Sequence, residues 1–291
     1  MVFVFHRDAD GNAKEIRVWV CKSTHEEDVI EDRIGPVEPG RSVLWSVDRQ
    51  ASPDIFTTIE SERTSCRLRA EEIPAAWRTG FPSGIDIIRK AIDLRPAKGL
   101  DVDTRIVKRR LCEYEVFLSL EESIELPLIR KGFQNIDEFV ARAQTILQRR
   151  KARSGRSLEL QLREILREEG FVEGATFSHQ PESDPGKRPD FLFPSESAYK
   201  NPAFAKNSLR MLAVKTTCKD RWRQILNEAD RVKTKHLLTL QEGVSENQFK
   251  EMIDANVKLV VPRGLHDSYP ASIRPALLSL DAFLGEMKKL P

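Results

Sequence analysis

Short apolar segments alternate with helical patterns through residues 157–285, and this alternation restricts the fold more than any other feature of the chain. Four apolar segments are typical of strands, at residues 191–193, 209–214, 237–240 and 258–261. Helical spacing of apolar residues lies between and around them, at residues 158–168, 222–233 and 245–255. Strands that alternate with helices predict an α/β fold around a central sheet.

A helical region precedes the predicted sheet. Apolar residues recur at helical spacing in residues 85–92, 103–126 and 136–150. The segment Ser154-Gly155-Arg156-Ser157 interrupts the third pattern, so residues 158–168 are predicted to form a separate helix, capped by Ser157 and ended by Gly170. At the amino terminus, residues 2–5 and 16–21 flank a turn-forming segment and predict a β-hairpin.

The composition excludes several classes of protein. No apolar run approaches the roughly 18 residues that a membrane span requires. A net charge of +2 gives no overall positive field, so a nucleic-acid surface must be a local patch. The cysteines form no CxxC pair, and this predicts buried apolar thiols in a reducing, cytoplasmic setting, with neither a zinc site nor a disulfide framework: Cys21, Cys66, Cys112 and Cys218.

Two acids and a lysine surround the predicted strands in a pattern that suits phosphodiester hydrolysis. Asp190 precedes one strand, Lys215 ends the next, and Glu228 lies on the helix that follows. Carboxylates can hold Mg²⁺ against a scissile phosphate, and an ammonium can place or activate the attacking water. We interpret Asp190 and Glu228 as metal ligands, with the carbonyl oxygen of Val214 as a third.

A cluster of charged residues follows the lysine. Lys219, Asp220 and Arg221 lie where side chains can read guanine and cytosine edges. At α-helical spacing, Arg221, Ile225 and Glu228 share one face, so Arg221 would face DNA while Glu228 faces the metal. The same residues are equally open to a plain interpretation, as surface charges around a helix start that Asp220 caps.

Two long stretches, residues 188–194 and 209–230, carry a resemblance to a known family. They resemble the catalytic region of EcoRII-type restriction endonucleases, which belong to the PD-(D/E)xK nuclease superfamily. Shorter segments extend the likeness over nearly the whole chain, at residues 16–21, 26–31, 130–133, 157–160, 240–245 and 259–262. The fold that this resemblance implies is a restriction-endonuclease-like core, a mixed central sheet flanked by helices.

The resemblance also implies an activity. Such enzymes use Mg²⁺ to cut double-stranded DNA at CCWGG ahead of the first cytosine, leave 5′-phosphate ends, and act as homodimers. Asp190, Lys215 and Glu228 would be the catalytic residues, with Tyr199 and Glu159 as further active-site positions. No small-molecule cofactor beyond the metal is expected.

The resemblance assigns DNA contacts as well. Lys219, Asp220 and Arg221 would read the C·G pairs in the major groove. Relatives extrude the central base pair, and a segment of the second helix resembles the pocket that receives the base. Arg110 and Tyr114 are four residues apart there and would sandwich it, with Arg109 beside them.

Two departures from the family pattern carry further expectations. The superfamily usually has an acid two residues before the lysine, where this chain has Ala213; Glu228 would replace it. Residues 1–70 resemble only the last strands of an amino-terminal effector domain, and residues 71–291 would form the catalytic domain. We therefore expect cleavage at single sites. Two alternatives stay open: a nuclease with a related specificity, such as CCNGG or a mismatch-repair site, and a DNA-binding module that does not cut.

Overall fold

The structure is a computed structural model that describes residues 2–7, 13–19 and 65–290. At the amino terminus, β1 (Val2–Arg7) and β2 (Ala13–Trp19) pair in antiparallel fashion, which confirms the predicted hairpin. The likeness at residues 26–31 lies outside the described residues.

A mixed sheet forms the centre of the described chain and confirms the predicted α/β class. Its five strands follow in the order β3 (Ser178–His179), β4 (Phe191–Phe193), β5 (Arg210–Val214), β6 (Lys235–Leu238) and β7 (Val257–Val260). The first two pairings are antiparallel and the last two are parallel. As a result, the start of β4 and the ends of β5, β6 and β7 meet at one edge of the sheet.

Helices cover the sheet and form a second, helical region. Within the described residues they are α1 (Ala75–Thr79), α2 (Gly84–Leu94), α3 (Val102–Lys131), α4 (Ile136–Glu168), α5 (Glu196–Lys200), α6 (Glu246–Asp254) and α7 (Leu280–Met287). Polar caps start the two longest: Asp101 accepts from the amide of Thr104, and Asn135 accepts from the amide of Glu138. Among the helices that the structure describes, none is both long and apolar enough to cross a membrane.

The continuous helix α4 corrects the sequence prediction of two helices. Gly155 stays within it, and Ser157 is not an N-cap but accepts a hydrogen bond from Arg110 in the middle of the helix. A glycine inside a helix costs only about 1 kcal/mol relative to alanine. The second half of α4 buries Leu158, Leu162 and other apolar residues against the sheet, which outweighs that cost.

Apolar side chains cover both faces of the sheet. Along β5, Leu212 and Val214 join a cluster with α4 and α7, whereas Met211 and Ala213 join a cluster with Ile225 on the opposite face. This alternation follows from the two-residue period of a strand. Burial on both faces explains why β5 reads as a continuous apolar run.

A disulfide corrects the expectation for the cysteines. Cys66 and Cys112 are buried and bonded to each other, with 5.1 Å between their Cα atoms. Cys218 is buried and free, as expected. The two bonded residues are 46 positions apart in sequence, and only the packing of the segment at Cys66 against α3 brings them together.

Candidate active site

Asp190 and Lys215 meet at the shared edge of the sheet. Asp190 comes directly before β4 and Lys215 directly after β5, and the antiparallel register that pairs Phe191 with Leu212 sets Asp190 opposite Ala213. The Asp190 Oδ2 atom accepts from the Val214 amide at 2.7 Å and from Lys215 Nζ at 3.0 Å. Both side chains are mostly covered, with 14% of Asp190 and 19% of Lys215 exposed.

The pKa of the Asp190 carboxyl lies above its ordinary value. Burial is the largest cause, and the negative charge of Glu159 adds to it. The Lys215 ammonium and the Val214 amide act in the opposite direction without cancelling burial. The carboxylate is therefore held in a setting that is short of positive charge.

Glu228 approaches the same edge from the segment after β5. It lies at the end of a 3₁₀-helix, Lys219–Asn227, and its amide donates to the carbonyl of Ile225. Burial raises the pKa of Glu228 to about 7, and the negative charge of Asp190 adds to the shift, while Lys215 and Lys235 oppose it. Its Oε2 atom is buried and accepts no hydrogen bond.

Glu228 reaches the sheet on the face to which residue 213 points. Its neighbours Ile225 and Ala229 pack in the same apolar cluster as Ala213. An acid on the helix can thus occupy the region that an acid at position 213 would have served.

These residues fit a divalent cation. Glu228 Oε2 is a buried polar atom with no partner, and the negative charge of Asp190 raises the pKa of Glu228, so a positive ion beside the two carboxylates is favoured. Within the part of the chain that the structure describes, no group of three or more His, Cys, Asp or Glu is placed to hold a metal. Mg²⁺ needs no such group, since it is usually bound by one or two carboxylates and keeps several waters.

Glu159 lies beside this pair and is anchored separately. It is a buried residue of α4 that contacts His179 Nε2 at 2.6 Å and accepts from Gln180 Nε2 at 2.7 Å. The His179 ring packs on Phe191, with 5.1 Å between ring centroids. The histidines show no spacing of metal ligands in the sequence, so the sequence assigns no role to His179.

Tyr199 contacts the segment that follows Glu228. This buried residue of α5 donates from its hydroxyl to Asp184 Oδ2 at 2.9 Å and accepts from the Arg231 amide at 3.1 Å. Burial raises the pKa of Tyr199 to about 12, so the hydroxyl keeps its proton. The structure thus links Tyr199 to the support of Glu228.

The 3₁₀-helix differs from the α-helix that the sequence predicted over residues 222–233. With three residues per turn, Ile225 and Glu228 lie on one side and Arg221 is turned away from them. Accordingly Ile225 is buried and Arg221 is exposed, so the predicted common face does not form. Lys219 and Asp220 start this helix, and their side chains lie outside the described part of the structure.

The proposed base pocket on α3 has other partners in this structure. Arg109 is 4% exposed and donates to Glu168 and to the carbonyl of Pro96. Arg110 donates to Glu113 and Ser157. The Tyr114 ring is 44% exposed, and the guanidinium beside it, 4.8 Å from its centroid, belongs to Arg153. Arg110 is thus hydrogen-bonded to Glu113 and Ser157, and the cation over the Tyr114 ring is that of Arg153.

Comparisons with known proteins agree with the sequence resemblance. The family model described as "EcoRII C terminal" matches residues 117–284, and that described as "Restriction endonuclease EcoRII, N-terminal" matches residues 1–49. The curated type II restriction enzyme EcoRII of Escherichia coli is 45% identical over 287 residues, which cover 96% of this chain and 67% of that protein.

Solved structures show the same fold at low sequence identity. Metal-depleted Ecl18kI in complex with uncleaved, modified DNA aligns with a TM-score of 0.60 and 17% identity, over 77% of this chain and 85% of that chain. Metal-depleted Ecl18kI in complex with uncleaved DNA aligns with a TM-score of 0.58 and 18% identity, over 73% and 80% of the two chains. The expected restriction-endonuclease-like core is therefore confirmed.

Proposed function

The chain belongs to the EcoRII family of type II restriction endonucleases, and from that membership we propose that it cuts double-stranded DNA at CCWGG, ahead of the first cytosine, with Mg²⁺. The products would carry 5′-phosphates. The observation that carries the catalytic part of this proposal is the meeting of Asp190 and Lys215 at one sheet edge, beside the partnerless oxygen of Glu228.

Asp190 and Glu228 would hold the cation, with the carbonyl of Val214 as a further oxygen. When bound, Mg²⁺ supplies positive charge against the negative charge that develops on the phosphate. The Lys215 ammonium, steadied by Asp190 Oδ2, is positioned to orient the attacking water and to donate to the phosphate. Glu159, fixed by His179 and Gln180, keeps negative charge close to Asp190 and favours cation binding.

Sequence readout would come from the residues directly after the catalytic lysine. Lys219, Asp220 and Arg221 open the 3₁₀-helix that ends at Glu228, so base contacts and the metal ligand share one short segment. Asp220 can accept from the N4 amino group of cytosine, and Arg221 can donate to guanine. Contacts of these residues with the correct DNA sequence would therefore also position Glu228 for catalysis.

The extruded central base would stack on Tyr114, whose ring is half exposed. Arg153 covers that ring in this structure, and Arg110 is engaged by Glu113 and Ser157, so a base must displace one of them or stack against it. We leave Arg109 out of the pocket, because its guanidinium is buried in bonds to Glu168 and Pro96.

A nearly two-fold symmetric DNA site calls for two active centres, so we propose a homodimer with one centre per strand. We also propose residues 71–291 as the catalytic domain and residues 1–70 as a counterpart of part of the effector domain. The match of the amino-terminal family model to residues 1–49 supports this division.

Digestion of DNA of known sequence tests the proposal. Plasmids with CCWGG, with CCSGG and with neither sequence are incubated with the protein and Mg²⁺, and the ends are mapped by sequencing. Cuts ahead of the first cytosine at CCWGG alone support it, and equal cutting at CCSGG favours the CCNGG alternative. Protection of CCWGG without nicking, in wild type and Lys215→Ala alike, would favour the non-cutting module.

A further inference from the structure

A buried lysine that the proposed mechanism does not use lies beneath the segment carrying Glu228. Lys235 is the first residue of β6 and only 5% exposed. Its Nζ atom donates to the carbonyl oxygen of Ala229 at 2.7 Å and, by a shorter contact, to the carbonyl oxygen of Glu228. The ammonium is therefore fixed to the backbone at and directly after the proposed metal ligand.

A charge in this position needs a reason beyond packing. Burial of an ammonium is unfavourable unless partners compensate, and burial is the main cause that lowers the pKa of Lys235. The acids Asp230, Glu228 and Asp184 lie close enough to oppose that shift. An apolar side chain would fill the same space without this cost, so the hydrogen bonds to the backbone are what the lysine adds.

The backbone that Lys235 holds is unusual. Ala229 has a φ of +49°, in the left-handed region that non-glycine residues rarely adopt. The next two amides are also held by side chains: Asp230 N donates to Asp184 Oδ2 at 3.2 Å, and Arg231 N donates to the Tyr199 hydroxyl. Side chains from separate parts of the fold thus determine the path of this segment.

We propose that Lys235 is a positioning residue for the metal site: its ammonium holds the carbonyls of Glu228 and Ala229, and so directs the Glu228 carboxylate towards Asp190. The inference rests on the proposed function, since it assigns Lys235 to the support of a metal ligand. It goes beyond that function by naming a group that touches neither DNA nor metal and yet sets the affinity for the cation.

The test compares Lys235→Met, which keeps the stem and loses the ammonium, with Lys235→Arg, which keeps a cationic donor. Lys258→Met, at an exposed lysine of the neighbouring strand β7, is the matched control. For each protein, cleavage of a CCWGG duplex is measured across a Mg²⁺ series. Binding of Mn²⁺ to the metal-free protein–DNA complex is measured by calorimetry, which requires no turnover.

Lys235→Met should weaken Mn²⁺ binding and raise the half-saturating Mg²⁺ concentration by about 10-fold or more, the usual range for lost outer-shell partners. Its rate at saturating Mg²⁺ should stay near that of wild type. Lys235→Arg should recover part of the affinity, and Lys258→Met should change neither quantity. An unchanged metal affinity in folded Lys235→Met, with only a lower rate at all Mg²⁺ concentrations, overturns the inference.

Two further variants keep the outcomes separable. If circular dichroism shows that Lys235→Met does not fold, Asp184→Ala removes the acceptor of the Asp230 amide, loosens the same segment from its other side and should give the same rise in half-saturating Mg²⁺; no rise overturns the inference. Glu228→Gln checks the proposed function itself. If Glu228→Gln binds Mn²⁺ as wild type does, the metal role of Glu228 fails. If Glu228→Gln loses Mn²⁺ binding and Lys235→Met does not, only the role of Lys235 is refuted.

Discussion

Two regions of this molecule are dense in charged residues, and they differ in whether the buried acids have partners within the chain. Where α3 packs on α4, buried acids are matched by arginines: Arg142 and Arg149 donate to Glu125, and Arg150 donates to Glu121. At the sheet edge, Glu228 has a buried oxygen without a partner. In the first region these carboxylates have arginine partners within the chain, whereas in the second a buried carboxylate oxygen has none.

The pKa values express the same contrast. Burial acts to raise the pKa of Glu125, but hydrogen bonds from Arg149 and Arg142 bring it below its ordinary value. Burial also acts on Glu228, and there the nearby Asp190 adds to it, so the pKa rises to about 7. Charge compensated within the chain holds helices together, whereas charge left uncompensated at an edge indicates a site.

The largest expected effect is at the sheet edge. Lys215→Ala should lower the single-turnover rate at CCWGG on the order of 1,000-fold, because a preorganised charge at the reacting phosphate is lost. Binding of the same duplex without metal should stay close to that of wild type, as measured by gel shift. Lys258→Ala controls for loss of a lysine elsewhere, and a Lys215→Ala rate within about 10-fold of wild type would contradict the assignment.

A substitution where α3 packs on α4 should change the stability of the protein and leave its cleavage rate unchanged. Glu125→Leu leaves Arg142 and Arg149 without their shared partner, and since these guanidiniums are 32% and 23% exposed, we expect a loss of about 2 kcal/mol. Urea unfolding measures this, and the cleavage rate per folded molecule should not change. Glu122→Gln, in an exposed pair with Arg67, should cost less than about 0.5 kcal/mol. Equal losses in the two variants would remove the contrast between compensated and surface charge.

Arg221→Ala tests whether the segment between Lys215 and Glu228 contributes to recognition of the DNA sequence. It should lose about 1–3 kcal/mol of discrimination between CCWGG and a singly substituted site. Competition binding with matched duplexes measures that difference. Arg223→Ala is the control, because Arg223 is engaged by Glu251 and packs on Trp222. Uniform weakening on every duplex would instead mark Arg221 as a phosphate contact.

The sequence predicted the sheet edge better than the helix pair, and the reason is physical. Strand ends are local features, so the apolar runs that begin after Asp190 and end before Lys215 could be read from the sequence, and the antiparallel pairing of β4 and β5 brings both residues to one edge. The joining of two predicted helices into α4, by contrast, depends on long-range burial that outweighs a local break at Gly155.

Other misses have the same origin in tertiary packing. The bond between Cys66 and Cys112 joins segments that no spacing rule relates. The guanidinium that covers the Tyr114 ring comes from Arg153 on another helix, a contact that no spacing within α3 indicates; that Arg110 and Tyr114 hold an extruded base stays a prediction. The sequence also shows no pattern that distinguishes a 3₁₀-helix from an α-helix before Glu228, because Ile225 would face the core in either geometry.

The last prediction is a pH dependence of stability that arises at the sheet edge. The folded-state pKa of Glu228, about 7, lies above its ordinary value of 4.5, so the folded protein binds a proton more tightly there than the unfolded chain does. The resulting stabilisation is fully present below pH 4.5 and is lost as pH rises through 7.

The melting temperature of wild type should therefore fall relative to that of Glu228→Gln between pH 4.5 and pH 7, when both are measured without metal. Mg²⁺ should restore part of the loss in wild type only, because it binds the ionised folded state. Glu125→Gln keeps Glu228, and the lowered pKa of Glu125 adds no loss of its own above pH 4.5, so the melting temperature of this variant should fall in parallel with that of wild type. Parallel melting curves for wild type and Glu228→Gln from pH 5 to 8, with and without Mg²⁺, would show that the charge at the edge is compensated after all, and the distinction between the two regions would fail.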